Sequence, residues 1–199
     1  MTTSVTTLKG APLRDPSFIT ALLNDKRASV IWLVLRLWLG WQWLESGLGK
    51  FSNPAWMQSG DALKGFWSRA VLVPEQGRPP ISFDWYRAFI QSMLDAQAYT
   101  WFAKLIVFGE LFIGISLIIG LFVGVTAFFG GFMNWNFIMA GSASVNGMFL
   151  IVSVVLFMAW KVAGFLGVDY FLLPRIALWS DKKETAKSLP RVGEPAAAD

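Results

Sequence analysis

Inside otherwise apolar stretches of this chain stand Arg36, Glu110, Asn134, Asn136 and Lys161. A carboxylate or guanidinium among apolar residues is expensive to hold unless it meets an opposite charge, a hydrogen-bonding partner or a ligand. Glu110 is the clearest case. It lies near the middle of WFAKLIVFGELFIGISLII, a run long enough to cross a bilayer core of about 30 Å. Arg36 lies about two residues from the centre of the run 28–47, and Glu110 about one residue from the centre of 99–119. At the rise of an α-helix the two fall within roughly 5 Å of one level, so they are expected to meet. Such a pair can be a plain structural bridge. Beside an open space, it can instead bind a ligand and pass protons.

The chain has no histidine and no cysteine among its 199 residues. It therefore lacks the usual haem axial ligands, iron–sulfur thiolates and zinc-site donors, so no haem, iron–sulfur cluster or metal is expected from it. The common His base and Cys nucleophile are missing too. Any redox chemistry must run on a bound organic molecule or on a partner subunit. A net charge of +4, concentrated at the ends, leaves no basic stripe for a duplex, so nucleic acid is not an expected partner.

With 55% hydrophobic residues and a mean hydropathy of +0.51, the composition is that of a membrane protein. Runs at about 28–47, 99–119, 121–141 and 147–167 are expected to cross, with a Gly-marked break at Gly120. The expected fold is an all-α integral membrane protein, a four-transmembrane-helix bundle with a long external loop containing short amphipathic helices. Its expected parts are a cytoplasmic N-terminal tail 1–27, the bundle 28–176 with the external loop 51–98, and a disordered cytoplasmic tail 177–199 rich in Ala, Pro and mixed charge. The first run is too long for a signal peptide and carries Arg36. Lys9, Arg14, Lys26 and Arg27 precede it, and Arg175, Lys182 and Lys183 follow the fourth. An even number of crossings with basic ends puts both termini in the cytoplasm.

Within the loop, Asn53-Pro54 is a helix start, with Asn as cap and Pro at the first helical position. Trp56, Leu63, Phe66, Trp67 and Ala70 then follow helical spacing. A second amphipathic helix is expected to put Trp85, Phe89 and Met93 on one face. These elements can lie in the headgroup region or form a lid over a cavity. In the first long helix, Arg36, Gly40, Trp43, Gly47 and Lys50 share a face. Trp near a helix end is ordinarily an interface anchor, but Trp38 and Trp41 lie deeper, where they can wall a flat ligand. Asn134 and Asn136 fall about a turn toward the outer side of the Arg36–Glu110 level, and Lys161 about a turn toward the inner side. Two basic groups against one carboxylate suit an anion, or a quinone whose oxygens gain negative charge on reduction. An Arg36–Glu110 bridge with Lys161 turned away fits the same pattern.

The segments RLWLGWQWLESGLGKFSNPAWM, SGDALKGFW, YTWFAKLIVFGELFIGISLIIG and FMNWNFIMAGSASVN resemble DoxX/DoxD-family membrane proteins, over about 28–174. The DoxD branch is associated with the small subunit of thiosulfate:quinone oxidoreductase. The resemblance carries family positions onto Arg36, Gly40, Gly47, Lys50, Glu110, Asn134, Trp135 and Asn136. Many DoxX relatives have a His near the end of the third or fourth helix, and this chain has none. The resemblance implies a multi-pass protein of a prokaryotic plasma membrane with soluble or membrane redox partner subunits. On this basis the chain is expected to be the membrane subunit of a quinone-linked oxidoreductase. Glu110 and Arg36 would be catalytic, and Trp38, Trp41, Lys50, Asn134, Trp135, Asn136 and Lys161 would bind quinone or another substrate. Thiosulfate would approach near Lys50, Lys64 and Arg69. Two alternatives stand beside this: a non-catalytic anchoring or stabilising subunit of a respiratory or photosynthetic complex, and a small transporter or lipid-handling protein. The second lacks an internal repeat.

Overall fold

A computed structural model describes residues 15–176 of the chain, and within them the regular structure is helical. The 1–14 portion of the expected N-terminal tail and the tail 177–199 lie outside the described residues. From Ser17 the chain is already helical: α1 (Ser17–Asn24) packs onto the next helix, where Trp32 Nε1 donates to Leu22 O at 2.8 Å. Helix α2 (Ser29–Phe51) follows after a short 3-10 turn, Lys26–Ala28. Next come α3 (Pro54–Met57), α4 (Asp61–Ala70), α5 (Asp84–Asp95), α6 (Tyr99–Ile119), α7 (Val123–Met139), α8 (Asn146–Met158) and α9 (Trp160–Ala163). The segment 169–176 is helical as well.

Helices α2 and α6 run antiparallel and pack closely because small residues meet along the seam. A Cβ on Gly114 would stand 2.6 Å from Leu44 N and 2.9 Å from Gly40 O. One on Gly47 would stand 2.8 Å from Leu111 Cδ2. Backbones can approach this closely only where side chains are missing. Helices α7 and α8 form the second close pair. The turn between α6 and α7 depends on Gly120, whose φ of 73° is the left-handed conformation that closes a helix C-terminus. Leu121 N–H then donates to Ser116 O at 2.9 Å.

The external loop folds onto one end of this bundle. Asn53 caps α3 as expected, its Oδ1 accepting from Ala55 N–H at 2.9 Å, with Pro54 at the first position. Leu63, Trp67 and Ala70 of α4 join Tyr86 and Ile90 of α5 and Ala103 and Ile106 of α6 in one core. The stripe Trp85, Phe89 and Met93 shares a face of α5, as expected. Trp85 and Phe89 are exposed, and the face one residue further on, Tyr86 and Ile90, turns inward. Tyr86 fixes that choice by hydrogen-bonding through its hydroxyl to Asn136 O at 3.2 Å and Oδ1 at 3.1 Å.

Among the described residues one helix, Tyr99–Ile119, is by itself long and apolar enough to cross a membrane, with a mean hydropathy of 2.2. The other expected crossings fall short of that test for visible reasons. Helix α2 is long but carries Arg36, Gln42, Glu45 and Lys50. Helix α7 has 17 residues, and the fourth run divides at Ala159 into α8 and α9. All four nevertheless present large apolar side chains outward, among them Leu37, Phe108, Phe112, Phe128, Phe132 and Ile151. Charged and polar groups lie within: Arg36, Glu110, Asn134 and Ser153 are each about 1% exposed or less.

Candidate functional site

The seam between α2 and α6 decides which residue faces Glu110. With Gly114 against Leu44 and Gly47 against Leu111, Glu110 falls beside the last turn of α2. There Lys50 Nζ donates to Glu110 Oε2 at 2.7 Å and Oε1 at 2.9 Å, and to Ser46 Oγ at 2.6 Å. The ammonium has three N–H bonds, so this arrangement occupies its donor capacity. The Lys50 side chain is 22% exposed and that of Glu110 1%, so the lysine is the member of the pair within reach of water. The Trp56 ring lies 5.4 Å from Nζ, a cation–π distance that holds the ammonium from the loop side.

Beside the pair lies a cavity of about 590 Å³. Its walls come from α2 (Trp43, Ser46, Lys50), α6 (Glu110), α7 (Asn134, Phe137), the start of α8 (Asn146, Phe149) and the loop helix α4 (Asp61, Phe66, Arg69). That volume is within the range of small-molecule sites, and the lining mixes aromatic faces with a few polar groups, as such sites do. Asn134 is fully buried, and neither its Nδ2 nor its Oδ1 has a hydrogen-bond partner among the described residues. A buried amide left unpaired costs about 1–3 kcal/mol for the group, so it points to a partner that enters the cavity.

The expected Arg36–Glu110 meeting does not occur. Arg36 donates through Nη1 to Ala163 O and through Nη2 to Leu166 O, both at 2.8 Å, at the far end of the bundle. It lies on the same helix as Lys50, fourteen residues and therefore about 21 Å away. Depth measured from span centres misplaced it, because α2 extends to Phe51 and the glycine seam, not the midpoint, sets the offset from α6. The surplus of positive charge vanishes with it. Arg36 is bound to carbonyls, Lys161 is exposed with its Nζ 5.6 Å from the Trp160 ring, and Lys50 is matched by Glu110.

The other expected residues divide. Lys50 and Asn134 stand in the cavity wall with Glu110. Trp38 packs edge-on against Phe149 at 5.6 Å and is not in that wall. Trp41 is 59% exposed on the outer face of α2, and Trp135 faces outward beside Phe132. Asn136 is committed to structure, donating to Phe132 O and accepting from Tyr86. Arg69 reaches the cavity, whereas Lys64 lies over the Tyr99 ring at 5.2 Å.

Two participants escaped the sequence reading. Trp43, absent from the expected site residues, is buried and lines the cavity. Its place on one face with Gly40, Gly47 and Lys50 was the signal. Asp169 sits in what reads as an interfacial turn, but its two carboxylate oxygens accept from Phe122 N–H at 2.6 Å and Val123 N–H at 2.8 Å, capping the start of α7. Its partners are backbone N–H groups, so no residue type around it announces them.

The family model DoxX matches residues 31–143, which span α2 to the end of α7 and contain Lys50, Glu110 and Asn134. Searches of curated proteins and of solved structures returned no match.

Proposed function

Since the chain belongs to the DoxX family, whose members are membrane-associated, we propose that it is a four-crossing membrane subunit of a quinone-linked oxidoreductase, binding quinone in the cavity beside Lys50 and Glu110. Helices α2, α6 and α7 and the α8–α9 pair are the crossings. At the helical rise, α7 covers about 26 Å and α8 with α9 about 27 Å, close to the bilayer core. Their outward apolar side chains and inward polar ones support this arrangement. On this reading the termini lie in the cytoplasm and the cavity faces outward: Lys9, Arg14, Lys26, Arg27, Arg175, Lys182, Lys183, Lys187 and Arg191 flank the bundle, nine basic residues against five between Lys50 and Ala98.

The observation that carries the reading is the buried Glu110, doubly hydrogen-bonded by Lys50, beside a cavity whose unpaired buried polar groups are neutral: the amide of Asn134 and the indole N–H of Trp43. The Lys50–Glu110 pair is charge-matched and has little net attraction for an incoming anion. A neutral amide offers a hydrogen bond to a carbonyl oxygen. The polar groups therefore favour a neutral, carbonyl-bearing ring over a permanent anion as the occupant of the deep cavity. Two-electron reduction of a quinone takes up two protons. As its oxygens become basic, Lys50 delivers the two protons one after the other and is recharged from the exposed side after each, while Glu110 holds its side chain in place and favours its return to the charged form. The electrons come from a reductant or a partner subunit. Thiosulfate fits that role stoichiometrically, since two thiosulfates joined through a new sulfur–sulfur bond release two electrons. Arg69 at the rim is the cation that would receive it.

The purified protein, alone and with any co-purifying subunits, is to be mixed with thiosulfate and a decyl-chain benzoquinone. Quinol formation that drops at least tenfold in Glu110→Gln supports the reading. No quinone binding and no reduction in any of these preparations removes it. Retained activity of a co-purified complex carrying Glu110→Gln would favour the anchoring role.

A further inference from the structure

Trp43 and Asn134 are not alone among buried groups without partners. Ser153 of α8 is 1% exposed, and its Oγ, like Trp43 Nε1, has no hydrogen-bond partner among the described residues. The two converge on one turn of α7. A Cβ built on Gly130 would stand 3.4 Å from Trp43 Nε1 and 3.6 Å from Ser153 Oγ. Asn134 lies one turn further along the same face of α7. An indole N–H, a hydroxyl and a carboxamide thus gather where α7 has no side chain. All three can donate, and the indole can only donate. Unpaired donors brought together in this way call for an acceptor oxygen.

Ser153 also opens in another direction. It lines a groove of about 240 Å³ on the outer surface between α7 and α8, otherwise built from apolar side chains such as Phe128, Phe132, Leu150 and Phe157. Trp43 and Asn134 belong to the cavity inside. The partition between groove and cavity is therefore Gly130 and Gly131, both buried. Ser153 touches the groove on one side and the donor cluster on the other.

We propose that this juxtaposition is a lipid-side route and tail seat for the quinone: its apolar tail lies in the α7–α8 groove, and a ring carbonyl oxygen is held by Trp43, Asn134 and Ser153. This rests on the cavity being the quinone site. An apolar groove that meets a buried donor cluster at Ser153 selects a molecule that carries a carbonyl on a long apolar chain. The groove faces the same apolar exterior as the outward side chains of α7 and α8, so the ligand need not leave the lipid to reach the site.

The test uses the full chain in nanodiscs of phosphatidylethanolamine and phosphatidylglycerol. Binding of a tailless benzoquinone to wild type, against Lys50→Met, examines the cavity alone. A decyl-chain benzoquinone with a diazirine at the tail end is then photolysed, and the adducts are mapped by peptide mass spectrometry. Adducts on Phe128, Phe132 or Phe157 are expected. Ser153→Ala and Gly130→Ala are expected to weaken the tailed quinone about tenfold, the loss of one good hydrogen bond. The Gly130 methyl meets its neighbours at ordinary contact distance, so folding is retained. In the infrared difference spectrum, Ser153→Ala should return the bound carbonyl stretch part of the way to its free frequency. Ring binding with adducts confined to α2, α6 or α4 overturns the groove and leaves the cavity reading standing. Ring binding with both variants unchanged overturns the donor cluster. Groove occupancy by phospholipid that quinone does not displace overturns the proposal. Failure of the tailless ring to bind removes the cavity reading and this one with it.

Discussion

Removing Lys50 while leaving Glu110 is the sharpest perturbation of the site. In Lys50→Met the carboxylate stays in place, 1% exposed, and loses both of its ammonium hydrogen bonds. Breaking a buried pair on one side costs about 3–5 kcal/mol, because the remaining charge has neither water nor a partner. Glu110→Gln is the milder change. It leaves Lys50, which at 22% exposure can turn to water and keep its bond to Ser46 at 2.6 Å. That loss should be about 1–2 kcal/mol. The double variant Lys50→Met/Glu110→Gln removes both charges and should recover most of the cost of the first. In thermal unfolding followed by tryptophan fluorescence, Lys50→Met should fall on the order of 10 °C below wild type. Glu110→Gln should fall by about a third of that, with the double variant between them. The refuting result is additivity. If the double variant loses the sum of the two single losses, the groups are not coupled and the site has been misread.

Gly114→Val should separate α2 from α6, because its Cβ would stand 2.6 Å from Leu44 N; a loss of about 3 kcal/mol or more is expected, with quinone binding lost alongside stability. Asp169→Ala removes the acceptors for Phe122 and Val123 N–H and should cost about 2 kcal/mol, whereas Asp169→Asn should cost about half as much, both read by thermal unfolding. Burial in the loop pushes the Tyr86 hydroxyl up from 10.0 to about 12. The folded state thus favours the protonated phenol: its contribution is complete below pH 10 and is lost as the pH rises through about 12. Stability of the wild type should fall across that window by on the order of 2–3 kcal/mol more than that of Tyr86→Phe, measured as unfolding temperature against pH.

Much of the scaffold was legible because it rests on local rules. Apolar runs, the Asn53-Pro54 start and the Gly120 stop each follow from a few neighbouring residues, and the run Tyr99–Ile119 emerges with its expected bounds. Chemistry-bearing types within apolar runs also sufficed to mark Glu110 and Asn134, and Lys50 was marked by the face it shares with Gly40, Trp43 and Gly47 and by the family resemblance. Pairing was not legible in the same way. Arg36 and Lys50 lie on one face of α2, and either could have met Glu110. The choice depends on how far α2 slides along α6, which the contacts of Gly40, Gly47 and Gly114 decide across more than sixty residues of sequence separation. Which face of α5 turns inward was not legible for a related reason. Trp85 and Phe89 are the more apolar stripe, but the hydroxyl of Tyr86 needed Asn136, and burying that bond turned the helix. Asp169 was invisible because its partners are backbone N–H groups, which no residue type announces.

The two ends of the bundle are therefore built for different purposes, and Arg36 tests that division. At its end the glycines of two turns bring backbone together: Gly120 lies against Gly167 and the Arg36 guanidinium, Asp169 N–H donates to Gly120 O at 2.9 Å, and Val168 N–H donates to Ile119 O at 3.1 Å. Arg36 spans Ala163 and Leu166 across the same junction, ties α2 to the chain after α9, and borders no part of the cavity. At the other end Lys50 and Glu110 stand beside open space under a loop. If Arg36 is a fastener, Arg36→Lys loses the two-pronged contact and should lower stability by about 1–3 kcal/mol. Quinone affinity should stay within about twofold, because the change lies about 21 Å from Lys50 along one rigid helix. A variant of undiminished stability that no longer binds quinone would reverse the assignment, returning Arg36 to the site and making the Lys50–Glu110 pair the structural one.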